Sequence, residues 1–168
     1  GHEVEGLRRR PSLRLGGHGL LAARGDLHRV AEIEQHLSRH VTDVRLVIEE
    51  MLPAVAREGL AEWNDVFCEQ GVFTPAESRA ILDAGKPLGL RPRIHADELA
   101  LSGGALTAAA VGAVSADHLI HVDEAGAAAL AEAGVVATLL PAAAFFLKLG
   151  RYAPARMLIE RGVPVALA

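Results

Sequence analysis

Two stretches of this sequence place imidazole and carboxylate groups together at the end of an apolar run: Ile94-His95-Ala96-Asp97-Glu98 and Ser115-Ala116-Asp117-His118-Leu119-Ile120-His121. An imidazole is a good ligand for zinc or iron, and a carboxylate three residues further on can reach an attacking water as general base or acid. His95 is thus a candidate metal ligand and Glu98 a candidate acid or base. A strand-ending His95 hydrogen-bonded to a loop carbonyl, with Asp97 and Glu98 solvated or capping, accounts for the same residues. In the second stretch Asp117 and His118 are adjacent, and adjacent strand residues point to opposite faces. A direct relay between them is therefore disfavoured and each needs its own role. One of His118 and His121 is expected to be no more than a core or surface imidazole.

Other reactive types are less informative. Cys68 has no spaced histidine partner and reads as a buried, inert thiol. Glu69 ends the same run, where it either faces a pocket or, as the preferred reading, forms a salt bridge. His2, His18, His28, His36 and His40 show no metal spacing beyond the i, i+4 pair His36 and His40, which lacks the intervening glutamate of a zincin helix. Leu139-Leu140-Pro141 offers backbone shape rather than chemistry.

The elements that must position these groups alternate. A helix is expected over Thr42 to Gly59, kinked or broken at Pro53. Asp65 to Glu69 reads as a strand, and Thr74-Pro75-Ala76-Glu77 carries a capping-box start for the next helix. Strands then follow at Arg91 to Ala96, Ala116 to His121, Val135 to Leu140 and Val163 to Ala168. Helices are expected between them at Gly104 to Val111, Asp123 to Ala133 and Ala153 to Arg161. This is the rhythm of βα units in a parallel sheet, whose strands should be apolar runs buried on both faces. No Gly-rich phosphate fingerprint follows the first strand, which favours part of a (β/α) barrel over a nucleotide-binding sheet. Five strands are clear, with a further candidate at Ser12 to Leu15. The segment before Thr42 is irregular and rich in Arg and His, so the chain divides into residues 1 to 41 and 42 to 168.

Composition sets outer bounds. The chain has 168 residues, 51% hydrophobic and only 4% aromatic, with a formal net charge of -4. That suits one α/β domain and supplies no basic field for nucleic acid. A single cysteine excludes an internal disulfide and fits a reducing, cytoplasmic compartment. No apolar run is long enough for a membrane helix and no signal-peptide pattern opens the chain.

Taken in order, Asp65-Val66-Phe67-Cys68-Glu69-Gln70-Gly71-Val72-Phe73-Thr74, Ile94-His95-Ala96-Asp97-Glu98 and Ala113-Val114-Ser115-Ala116-Asp117-His118-Leu119 resemble successive signatures of the imidazolonepropionase family of amidohydrolases. Phe145-Phe146-Leu147, Tyr152-Ala153-Pro154-Ala155-Arg156 and the closing Gly162 to Ala168 extend the likeness, which covers roughly Thr42 to Ala168. The resemblance implies a partial (β/α)8 TIM-like barrel and a metal-dependent hydrolase that opens 4-imidazolone-5-propanoate to N-formimino-L-glutamate. It implies one zinc or iron ion with His95 as a ligand, Glu98 handling the attacking water or a ring nitrogen, and His118 as a second acid/base or oxyanion-stabilising group. The family's His-x-His ligand pair is absent from the sequence. Its last ligand, in a Thr-Asp-Phe-Asn-Pro-Gly stretch, would follow Ala168, so the chain reads as truncated. One ligand of four makes the chain alone expected to be inactive. The alternative, of a different class, is a non-catalytic half-barrel for binding or assembly, as a homo-oligomer that closes open sheet edges.

Overall fold

A computed structural model describes residues 31–32 and 41–168. The first helical stretch runs through α1 (Val41–Leu46), a π-helical turn (Val47–Met51) and α2 (Leu52–Glu58). Pro53 is accommodated rather than breaking the helix. It has no N–H and its ring crowds the carbonyl four residues back, and the widened turn ahead of it, in which Leu52 N–H bonds Val47 O, makes the room. Gly59, with a left-handed φ of 61°, ends the stretch.

The remaining elements are β2 (Trp63–Cys68), α3 (Pro75–Gly85), β3 (Arg91–Ala96), α4 (Gly104–Val111), β4 (Ser115–His118), α5 (Glu124–Ala133), β5 (Val136–Leu139), α6 (Pro141–Phe146), α7 (Ala155–Glu160) and β6 (Val165–Leu167). A two-residue β1 (Ala31–Glu32) pairs with β2. The capping box at Thr74 forms as expected: Glu77 N–H donates to Thr74 Oγ1 at 3.3 Å and Thr74 N–H donates to Glu77 Oε2 at 2.9 Å. Asp123 caps α5 by accepting from Gly126 N–H at 2.8 Å.

All pairings are parallel and the strand order β1-β2-β3-β4-β5-β6 follows the chain without reversal. A doubly wound sheet reverses its order at a switch point; a barrel wall does not. The fold is a partial (β/α)8 barrel. Short β1 and α6 were not foreseen, and the candidate strand at Ser12 to Leu15 lies outside the described residues.

The expectation of strands apolar on both faces needs correction. Pro92, Ile94 and Ala96 are buried while Arg91, Arg93 and His95 alternate with them on the other face. Outward strand side chains such as Ile94 and Ala116 pack under helix residues such as Ile81, Leu82, Leu130 and Leu158, all fully buried. The inward face carries polar groups. The helices approach closely where side chains are small: a Cβ added at Gly104 would lie 2.6 Å from Ala96 Cβ. Buried Asn64 ties β2 to α3 through Nδ2–H to Ile81 O at 3.0 Å.

Candidate metal-binding active site at the strand ends

The inward positions of three neighbouring strands lie in register, with Asp65 opposite Arg93, Arg93 opposite Ser115, Phe67 opposite His95 and His95 opposite Asp117. Period-2 alternation therefore gathers an acid, a base, a hydroxyl and an imidazole on one wall. Arg93 lies between the two carboxylates in this wall but bonds only one. Its Nη2 donates to Asp117 Oδ2 at 2.7 Å and its Nε to Ser115 Oγ at 2.9 Å, while Ser115 Oγ donates to Asp117 Oδ1 at 3.1 Å. Both oxygens of Asp117 are thus occupied. Asp65, 2% exposed, faces His95 instead, whose Nδ1 lies 3.1 Å from Oδ1 and at the same distance from Oδ2. The hydrogen bond is to Oδ1; Oδ2 has no partner among the described residues.

Beyond β3 the chain turns at Asp97, with φ 50°, and sends Glu98 over the strand ends. Asp97 is fully buried and caps the start of α4. Its Oδ1 accepts from the backbone N–H of Ser102, Gly103 and Gly104, and its Oδ2 from Ala105 N–H. The capping alternative for this residue is the structural outcome. Glu69, 2% exposed, forms no salt bridge among the described residues; it accepts from Gln70 N–H at 2.9 Å and Leu99 N–H at 2.8 Å, tying the end of β2 to the loop that carries Glu98.

His118 reaches the site by backbone conformation. Its register partner is Ala96, so strand parity alone points it away from His95. Left-handed φ values of 71° at His118 and 55° at Leu119 end β4 three residues earlier than the expected His121 and redirect the ring. The ring centroids of His118 and His95 are 5.2 Å apart, and His118 Nδ1 stands 3.1 Å from Glu98 Oε1. That approach is within ion-pair range but without hydrogen-bond alignment, since Nδ1 has no hydrogen-bond partner among the described residues. Non-glycine residues in this backbone region are strained, and such strain concentrates at functional sites.

Electrostatics follow from burial. Desolvation pushes the Glu98 carboxyl above its ordinary range, opposed by His95 and reinforced by Glu69. Desolvation and then His95 push His118 down to about 4, against the pull of Asp117 and Asp65. His118 is therefore a neutral imidazole at neutral pH.

His95, Glu98 and His118, the three residues singled out from sequence, lie together. Asp117 and His118 do have separate partners. His121 is half-exposed beside Arg151, at 3.4 Å, on the periphery. Cys68 is buried and burial raises its thiol. Asp65, Arg93 and Ser115 were not identified, although polar residues two apart in successive strands are the signal that would have found them. The five histidines before Val41 lie outside the described residues. Asp65, His95 and Asp117 each offer one donor atom, all within 4.8 Å of one another. A half-buried imidazole at a strand end, backed on its Nδ1 side by a buried carboxylate, suits a divalent cation.

No protein-family model matches the chain. Over 125 residues it is 59% identical to the imidazolonepropionase of Geobacillus kaustophilus, covering 74% of this chain and 29% of that protein. It is 61% identical to the imidazolonepropionase of Shouchella clausii, covering 74% of this chain and 28% of that one. The chain thus spans less than a third of the length of these relatives. Among solved structures, an adenine deaminase from Arthrobacter aurescens shares the fold at a TM-score of 0.58 and 19% identity, over 74% of this chain and 40% of that one. An amidohydrolase from a Sargasso Sea sample does so at a TM-score of 0.53 and 20% identity, over 72% and 30%.

Proposed function

We propose, for a chain that belongs over its matched 125 residues to the imidazolonepropionase family, that it supplies one wall of an active site which hydrolyses the cyclic amide C–N bond of 4-imidazolone-5-propanoate to give N-formimino-L-glutamate. The observation that carries this reading is the convergence of Glu98 and His118 at 3.1 Å beside the His95 ring, at the C-terminal ends of adjacent parallel strands. Residues 42–168 would form the main barrel segment and residues 1–41 a divergent N-terminal stretch, of which Ala31–Glu32 pairs with β2.

His95 would hold one zinc or iron ion, with Asp65 behind the ring on its Nδ1 side. Such an ion, when bound, supplies Lewis-acid polarisation of the ring carbonyl. Glu98, whose raised proton affinity suits it to shuttle a proton, would take one from the attacking water and deliver it to the departing ring nitrogen. His118, neutral at working pH, would donate a hydrogen bond to the carbonyl oxygen as negative charge develops there. Glu69 and Asp97 would hold the Glu98 loop in place.

The test is hydrolysis of imidazolonepropionate, with added zinc or iron, by the protein that contains this segment. Glu98→Gln and His118→Ala should each lower kcat by roughly 100-fold or more. Retained kcat in Glu98→Gln would overturn its role. The 168-residue chain alone, with one of the family's imidazole ligands, should show no turnover. Metal-dependent turnover lost in His95→Ala would instead mean that the other ligands come from residues 1–41 or a second copy.

A second reading, a half-barrel that self-associates, is favoured by one feature. The terminal strand β6 carries Leu167 at 76% exposure, and Phe145 and Phe146 on α6 are 76% and 82% exposed. Light scattering separates the two, since a stable monomer would sink self-association.

A further inference from the structure

We infer that Asp65 is a positioning residue that fixes the ring orientation and tautomer of His95, holding the proton on Nδ1 so that Nε2 presents its lone pair as the ligand atom. The inference rests on the metal-site reading above and deepens it.

Of the two carboxylates beside His95, only Asp65 is available for this. Asp117 is neutralised by Arg93 and its second oxygen is taken by Ser115. Asp65 sits in the interior of β2 at 2% exposure, and its Oδ1 meets His95 Nδ1 at 3.1 Å. A carboxylate is only an acceptor, so the shared proton must be the imidazole's. With Nδ1 protonated, the neutral ring has its lone pair on Nε2, the arrangement of a carboxylate–histidine–metal relay.

The geometry is rigid for a stated reason. Asp65 and His95 come from neighbouring strands whose register places Asp65 opposite Arg93 and Phe67 opposite His95. Sheet hydrogen bonds rather than a loop therefore set their separation. Phe67 meets the His95 ring edge-on, with centroids 6.2 Å apart and planes at 74°, and confines the ring's rotation. His95 Nδ1 lies within hydrogen-bond reach of Asp65 Oδ1. This accounts for a carboxylate in so desolvated a position.

The tautomer can be read directly by nitrogen NMR on the full chain labelled with 15N-histidine, after chelator treatment and at neutral pH, the His95 signals being assigned by their loss in His95→Gln. The wild-type chain should show a protonated Nδ1 and an unprotonated Nε2. In Asp65→Ala the ring should shift towards the Nε2–H form, and zinc affinity measured by titration with zinc alone should fall roughly 10–100-fold. Asp65→Asn, which keeps an acceptor oxygen, should restore part of both. A wild-type His95 protonated on Nε2, or a tautomer unchanged in Asp65→Ala, would overturn the inference. Should Asp65→Ala fail to fold, the wild-type spectrum still decides it. A wild-type chain with the expected tautomer but no zinc binding would support the positioning role and sink the metal reading instead.

Discussion

Removing the carboxylate of Asp97 tests how the Glu98 loop is held. Asp97 is fully buried with a left-handed φ of 50°, and its oxygens accept from four consecutive backbone amides, those of Ser102 to Ala105, at 2.8–3.2 Å. Ser102 Oγ adds a fifth contact at 3.1 Å. In Asp97→Asn one oxygen becomes an NH2 group. The lost charge-assisted hydrogen bond costs about 1.5–3 kcal/mol. Loss of the negative charge at the start of α4 adds roughly 0.3–1 kcal/mol. The expected destabilisation is therefore about 2–4 kcal/mol. Asp97→Ala leaves all four amides to find water and should cost about 3–5 kcal/mol, a value reached only by breaking buried networks. For a domain of this size each kcal/mol lowers Tm by about 2–4 °C. Urea unfolding followed by circular dichroism measures it, with Asp83→Asn as the exposed control, whose pairs with Lys86 and Arg79 are worth about 0–1 kcal/mol. An Asp97→Asn variant no less stable than that control would refute the account of Asp97 as the loop's anchor.

Three further expectations follow from the packing. Gly104→Ala places a Cβ 2.6 Å from Ala96 Cβ and 2.8 Å from Ala96 Cα; because one neighbour is backbone, it should cost about 1–3 kcal/mol or more in the same assay. Cys68, buried with its thiol proton affinity raised by desolvation, should resist Ellman's reagent in the folded chain and react at the rate of unfolding; fast native-state labelling would show the site to be open. For the metal-free chain, His118 stays neutral down to about 4 when folded but takes a proton near 6.5 when unfolded. Its contribution to stability is therefore present above 6.5 and lost as pH falls to about 4, by up to about 3 kcal/mol. The raised Glu98 acts in the opposite sense, so the comparison is with His118→Gln, whose stability should fall less over that window. Parallel pH profiles would refute the assignment.

Much of this molecule was legible before any coordinates, and the reason is locality. The capping box at Thr74 and the bounds of β3 and α4 depend on groups within a few residues of one another, so their energetics are written in short stretches. His95, Glu98 and His118 were legible through linked motifs, and they do lie together. What only the tertiary structure decided involves partners far apart in the chain or a change of backbone region. Strand parity argues that His118 faces away from His95; two left-handed residues that periodicity cannot reveal reverse this. The roles of Asp65, Arg93 and Asp117 depend on the register between strands 22 to 30 residues apart. Register is settled by burial of the outer faces against the helices, and no single strand carries that information alone. Likewise the unreversed strand order separates a barrel wall from a doubly wound sheet, a distinction the repeating βα rhythm leaves open because both folds share the same local unit.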